Sequence, residues 1–134
     1  MKSQSARELK SESLRTKGYH KLILWQKARE FVKLVYKYSE KFPKSEEYVL
    51  KSQLRRAVVS VVLNIVEGYR RSSTKEFIRF LNISAASLTE VEACIEIAAD
   101  LGYFTQAEYK LLEERMVEIE VILFSFEKSL RKKL

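Results

Sequence analysis

Side chains able to do acid–base, nucleophilic or metal chemistry are scarce in this sequence. It holds one histidine, His20, one cysteine, Cys94, and one aspartate, Asp100. A serine–histidine–aspartate centre would have to join His20 to Asp100, and no nucleophile-elbow sequence holds a serine for them. A di-iron site in a helix bundle uses Glu-x-x-His pairs on two helices, a spacing absent here. Glu90 and Glu92 stand two apart, so a helix would send them to different faces. A single cysteine excludes an internal disulfide and a cysteine-based zinc site. Cys94 falls within an interior pattern, where cysteine acts as a small apolar residue. The glycines are only Gly18, Gly68 and Gly102, which leaves no GxxxxGK[ST] phosphate loop. The expectation is a protein that is not an enzyme, with no catalytic residue, metal or cofactor.

The remaining chemistry is electrostatic. The chain has 25 Lys and Arg against 18 Asp and Glu, a net charge of +7. The excess is uneven: residues 1–21 and 22–44 each carry +4, residues 45–72 carry +2, residues 73–102 carry −3, and residues 103–134 are neutral. Lys33, Lys37, Lys41 and Lys44 recur opposite an apolar seam as a basic stripe. Arg70, Arg71, Lys75 and Arg79 form a second cluster. Such groups neutralise phosphate charge without reading sequence, so RNA or DNA is a candidate partner. Glu30 and Glu40 interrupt the stripe, which equally suits an ordinary solvated face. Tyr36 and Tyr69 are the aromatics near these faces, too few for a single-strand stacking platform.

These side chains need helices to position them. Three glycines and one proline in 134 residues are too few for the turns of a sandwich or barrel. Leu24, Ala28, Phe31, Val35, Tyr38 and Phe42 are spaced 4-3-4-3-4, which predicts a first helix from Leu22 to Phe42, stopped by Pro43. Ser45 is expected to cap a second helix running to Tyr69, with Glu46 and Glu47 in its first turn. Its core face is Leu50, Leu54, Ala57, Val58, Val61 and Ile65. Gly68 or the Arg70-Arg71-Ser72 segment ends it.

Ser73-Thr74-Lys75-Glu76 predicts a capping box. The third helix follows, with Phe77, Leu81, Ser84, Leu88, Val91, Ile95 and Ala98 inward, and Gly102 suits the residue after its end. Thr105-Gln106-Ala107-Glu108 is a second box. It opens a fourth helix with Tyr109, Leu112, Met116, Ile119, Leu123, Phe126 and Leu130 inward. Short connections make antiparallel neighbours, so the expected fold is an all-α, up-down-up-down four-helix bundle over residues 21–134. Residues 1–20 are expected to be a flexible polar tail, with a helical turn around Ala6–Leu14.

The second helix carries two further stripes. Gln53, Arg56, Ser60, Asn64, Glu67 and Arg71 form a polar one. It is either a buried network, with Arg56 and Glu67 paired to Glu90 or Glu92, or the lining of a ligand cleft. Val59, Val62, Leu63 and Val66 form a second apolar one. An isolated bundle needs one apolar stripe per helix, so this surplus predicts a homo-oligomer interface. No window approaches the ~20 apolar residues that span a bilayer. With no apolar signal core after Met1 and a lone cysteine, a soluble cytoplasmic domain of bacterial type is expected.

Several runs, taken in order, carry a family likeness. They are Trp25-Gln26-Lys27-Ala28, Phe42-Pro43, Ser52-Gln53-Leu54-Arg55-Arg56-Ala57, Ser60, Asn64-Ile65-Val66-Glu67-Gly68 and Arg71. Glu76-Phe77, Phe80-Leu81, Ser87-Leu88-Thr89-Glu90-Val91-Glu92 and Leu101-Gly102-Tyr103 complete the set. From about Tyr19 to Leu130 the chain resembles the four-helix-bundle family named after the protein encoded in 23S rRNA intervening sequences. That family includes the accessory variability proteins of diversity-generating retroelements. It departs from the family pattern at Val62-Leu63, where members often have Pro-Ser, and at Ala86, where many have Gly. The resemblance implies a homopentamer without known enzymatic activity. For the retroelement proteins it implies a basic barrel that binds nucleic acid and a reverse transcriptase.

Overall fold

A computed structural model describes residues 18–134. It contains four α-helices: α1 (Ile23–Ser39), α2 (Leu50–Tyr69), α3 (Thr74–Asp100) and α4 (Gln106–Arg131). Short 3-10 turns at Gly18–Lys21 and Lys44–Glu46 flank α1. Among the described residues there is no strand. Each helix packs on its neighbour in the chain, and α1 also packs on α4, which closes a four-helix bundle. The helical turn expected around Ala6–Leu14 lies outside the described residues.

The seams predicted from spacing are the core. Leu24, Phe31, Val35, Leu54, Val58, Val61, Ile65, Leu81, Val91, Ile95, Leu112 and Ile119 are all fully or almost fully buried. They share one apolar cluster contributed by every helix. At roughly 1.5–3 kcal/mol for each such side chain, this cluster is the main source of cohesion.

The helix ends explain where the chain turns. Thr105 and Glu108 form the complete capping box: the Glu108 N–H donates to Thr105 Oγ1 at 3.1 Å, and the Thr105 N–H donates to Glu108 Oε1 at 2.8 Å. At α3 only half of the expected box forms. The Glu76 N–H donates to Ser73 Oγ at 3.1 Å, but the Glu76 carboxylate turns to Arg79 instead. After α3, the Tyr103 N–H reaches the Ala98 carbonyl at 2.9 Å and Gly102 takes φ +78°. That is a Schellman close, which glycine adopts without a steric penalty.

Two predicted boundaries are corrected. Helix α1 stops at Ser39, not Phe42, and α2 starts at Leu50, not Ser45. Arg55 accounts for the first. Its guanidinium donates to the Tyr36 carbonyl at 3.0 Å, to Ser39 Oγ at 3.0 Å and to Glu40 at 3.0 Å. It satisfies the Tyr36 carbonyl at the end of the helix and holds the Ser39 and Glu40 side chains around it. For the second, Pro43 is extended and Ser45 caps nothing; Glu46 Oε1 instead accepts from the Leu50 N–H at 3.3 Å. Lys51, only 6% exposed, donates to Glu47 at 3.1 Å. The 3-10 turn Gly18–Lys21 brings Tyr19 against the core, so the packed body begins before residue 21.

Candidate nucleic-acid interface

The eight candidate contact residues separate into two groups with different surroundings. Lys33 and Lys37 lie exposed on α1, whereas Lys41 and Lys44 fall beyond its end because α1 stops at Ser39. Lys33 is held by Glu30 at 2.9 Å. Lys41 is bound to Glu108, the same carboxylate that caps α4. Burial would raise the Glu108 pKa, but Lys41 and Thr105 together hold it below the ordinary carboxylate value. Lys37 and Lys44 have no carboxylate partner among the described residues. Half of the α1 stripe is thereby neutralised within the chain.

The turn between α2 and α3 gathers Arg70, Arg71, Lys75 and Arg79, all exposed. Arg71 pairs with Glu67 at 2.5 Å and Arg79 with Glu76 at 3.2 Å. The Arg71 and Arg79 guanidiniums each lie 4.7 Å from the centroid of the Phe80 ring. Each guanidinium is attracted to the negative π-face of that ring. Arg70 lies 5.5 Å from the Tyr19 ring. That contact puts the cluster at the end of the bundle where α1 begins. Lys41 and Lys44 are at the other end, one α1 length away, or ~25 Å at 1.5 Å per residue. Among the described residues the candidate cations thus gather at two ends of the bundle, with Lys33 and Lys37 along α1 between them.

The polar stripe of α2 is built differently from the buried network expected. Gln53, Arg56, Glu67 and Glu90 are exposed. Gln53 bonds to Glu90 across the α2–α3 contact. Ser60 Oγ meets Ser87 Oγ at 2.8 Å, and Asn64 donates back to Ser60 Oγ at 3.1 Å within α2. Glu67 pairs with Arg71 along its own helix. Among the described residues no ion pair joins Arg56 to Glu90 or Glu92. The network sits at the rim of the α2–α3 contact because the core face, centred on Leu54 and Val61, fills the interior.

Of the residues read as an oligomer interface, Val59, Val62 and Val66 are half-buried and pack against the core, while Leu63 is 60% exposed. The surplus stripe of α2 thus widens its core face and leaves Leu63 outside. Cys94 is buried, and desolvation, then the Glu90 charge, push its thiol pKa up, opposite to what a nucleophile requires. The described residues contain no group of three or more His, Cys, Asp or Glu disposed to hold a metal ion.

Two features escaped the sequence reading. One is an acidic face on α3 and α4. Burial, then Glu113, Glu96, Asp100 and Glu92, raise the Tyr109 pKa, and burial, then Glu92, raise that of Glu120. The negative sum over 73–102 was legible, but its convergence with α4 was not. The other is an aromatic stack at the opposite end. The His20 ring lies 4.0 Å from Trp25, Tyr19 lies 5.4 Å from Trp25 and 6.2 Å from Tyr69, and Arg29 covers Trp25 at 5.3 Å. His20 Nε2 is buried without a hydrogen-bond partner.

No helix of the described residues is long and apolar enough to cross a membrane. A search among curated proteins finds no match. The family model described as 23S rRNA-intervening sequence protein matches residues 20–125. A crystal structure from Bacteroides thetaiotaomicron VPI-5482, described as a protein with unknown function from the S23 ribosomal protein family, is also similar. It is 28% identical, with a TM-score of 0.72, over 79% of this chain and 96% of that one.

Proposed function

This chain belongs to the 23S rRNA-intervening sequence protein family, and on that footing we propose that it is a non-catalytic, homo-oligomeric scaffold that binds structured RNA or DNA through its basic surface. The observation that carries the reading is the convergence of Arg70, Arg71, Lys75 and Arg79 on one turn against only Glu67 and Glu76. Lys37 and Lys44 add charge that no carboxylate of the described chain neutralises. The bundle is read as running up-down-up-down. The cross-helix contacts Gln53–Glu90, Ser60–Ser87 and Ser84–Val61 support that order, because one number falls as the other rises. Self-association, with the pentamer that the family resemblance implies, would repeat both basic sites around one particle; exposed Leu63 supports it. The cytoplasm is the compartment that suits a protein of this kind with one buried thiol.

The test is a salt titration of binding to a structured RNA hairpin. Counterion release requires log affinity to fall linearly with log salt. Charge reversal at Arg70 and Lys75 should weaken binding by a similar factor for every sequence and flatten that slope. Absence of binding at low salt ends the proposal.

A second reading is a protein-interaction module without nucleic-acid contact, the partner being a protein such as a reverse transcriptase. The specific observation in its favour is that Glu30, Glu108, Glu67 and Glu76 neutralise four of the eight candidate cations. Capture of such a partner that survives nuclease and high salt would favour it.

A further inference from the structure

His20 is the only histidine of the chain, and its surroundings oppose a proton. Its ring lies 4.0 Å from Trp25 and 4.8 Å from Tyr19. Each of those rings already holds a guanidinium: Arg29 stands 5.3 Å from the Trp25 centroid, and Arg70 stands 5.5 Å from that of Tyr19. A proton on His20 would add a third cation to the same stack. Nε2 is buried without a hydrogen-bond partner, so that proton would also lack an acceptor. Desolvation, then the Arg29 charge, hold the His20 pKa below its ordinary value.

The charged groups around the imidazole come from three elements. Lys21 belongs to the Gly18–Lys21 turn, Arg29 to α1, and Arg70 follows α2. All three are exposed, and none pairs with a carboxylate among the described residues. Helix α4 faces Lys21 with Val121, Ile122, Ser125 and Phe126, and α3 faces Tyr69 with Phe77, none of them charged. Arginines resting on aromatic rings are already oriented, and a guanidinium fork matches the oxygens of a phosphate. An oxyanion between Arg29 and Arg70 would reverse the field at His20. Its charge offsets both guanidiniums, and its oxygens can accept from a protonated Nε2. The Gly18–Lys21 turn, tied to α1 by the bond from Gln26 Nε2 to the His20 carbonyl at 2.7 Å, has to shift for an oxygen to reach that nitrogen.

We propose that His20, Arg29 and Arg70 form a phosphate site in which uptake of the anion is coupled to protonation of the histidine. Nucleic acid as the source of that phosphate rests on the function proposed above; the coupling does not. It adds His20 and Arg29 to the basic cluster at the α2–α3 turn and gives that end of the bundle a pH dependence. By linkage, a proton tightens phosphate binding by the same factor as phosphate favours the proton.

With one histidine in the chain, the imidazole C2 proton gives a single NMR titration in the full-length protein. A structured RNA hairpin at low salt should raise the His20 pKa enough to make binding ~tenfold tighter below that pKa than above it. Arg29→Gln/Arg70→Gln should raise the pKa in the free chain and shrink the change on adding hairpin. His20→Gln should remove the pH dependence of affinity. Inorganic pyrophosphate probes the site without nucleic acid. A His20 pKa raised by pyrophosphate, with no hairpin binding at any pH, would keep the site and remove the nucleic-acid reading. Hairpin binding that leaves the His20 pKa unmoved, or moves it equally in the double arginine variant, would overturn the site.

Discussion

Val59, Val62 and Val66 on α2 and Val117, Val121 and Phe124 on α4 look alike in the sequence: apolar residues outside the main seam of an amphipathic helix. In the fold they part. The α2 residues are half-buried against the core, and the α4 residues stand largely in solvent. The cause is how closely the next helix approaches. Between α2 and α3 the contacting residues are small. Ser84 donates to the Val61 carbonyl at 2.8 Å, Ser60 meets Ser87 at 2.8 Å, and a Cβ on Gly68 would come within 2.9 Å of Phe80 Cβ. Close backbones shade the flanks of α2. Helix α4 approaches its neighbours less closely, with large side chains such as Phe126, whose ring lies 5.4 Å from that of Phe77 on α3, between them, and its flanks stay open.

The sharpest way to break this contrast is to place the same charge on both stripes. Val62→Asp should cost about 2 kcal/mol, because a half-buried apolar contact is replaced by a carboxylate that must be desolvated. Val121→Asp should change the stability of the isolated chain by less than about 0.5 kcal/mol. Urea unfolding of both at low protein concentration decides, and equal costs would remove the distinction.

A smaller effect is expected from Gly68→Ala. Its Cβ would meet Phe77 Cδ1 at 2.8 Å and the Phe77 carbonyl oxygen at 3.2 Å, forcing α3 away from α2. Overpacking costs about 1–3 kcal/mol, and helix propensity returns about 0.5–1 kcal/mol, for a net loss of about 1 kcal/mol in thermal unfolding. A stabilised variant would show that close approach is not what covers the α2 stripe.

The smallest effect concerns the turn that covers the end of α2 at Tyr69. Burial, then the nearby Arg29 charge, hold the His20 pKa below its ordinary 6.5. Protons then bind the opened turn more readily than the packed one. The contribution of His20 to packing is complete above about pH 6.5 and is lost as pH falls from there toward the lower folded value. Fluorescence of Trp25, the one tryptophan, should report loosening as pH falls below about 6.5, and His20→Gln should abolish that step. A flat profile in the unmodified chain would refute it.

Much of the fold was legible because helix periodicity and capping are local. The seams from Leu24 to Leu130 and the Thr105 box needed only neighbours three or four residues away. The two displaced boundaries were not legible: Arg55, sixteen residues beyond Ser39, decides where α1 ends. The candidate contact residues were legible as charges but not as free charges. Lys41 is tied to Glu108, 67 residues on, a pairing no local pattern announces. The acidic face was hidden for the same reason, since Glu92 and Glu113 come together only when α3 lies against α4.

The sequence by itself determined four amphipathic helices, the residues each turns inward, the caps at α3 and α4 and the excess of positive charge, all of them set by spacing along one chain. The tertiary structure alone decided which surplus apolar stripe is covered and which lysines and arginines keep their charge unpaired. Both depend on how closely two helices approach and on which side chains meet across the gap, and residues far apart in the chain fix those distances.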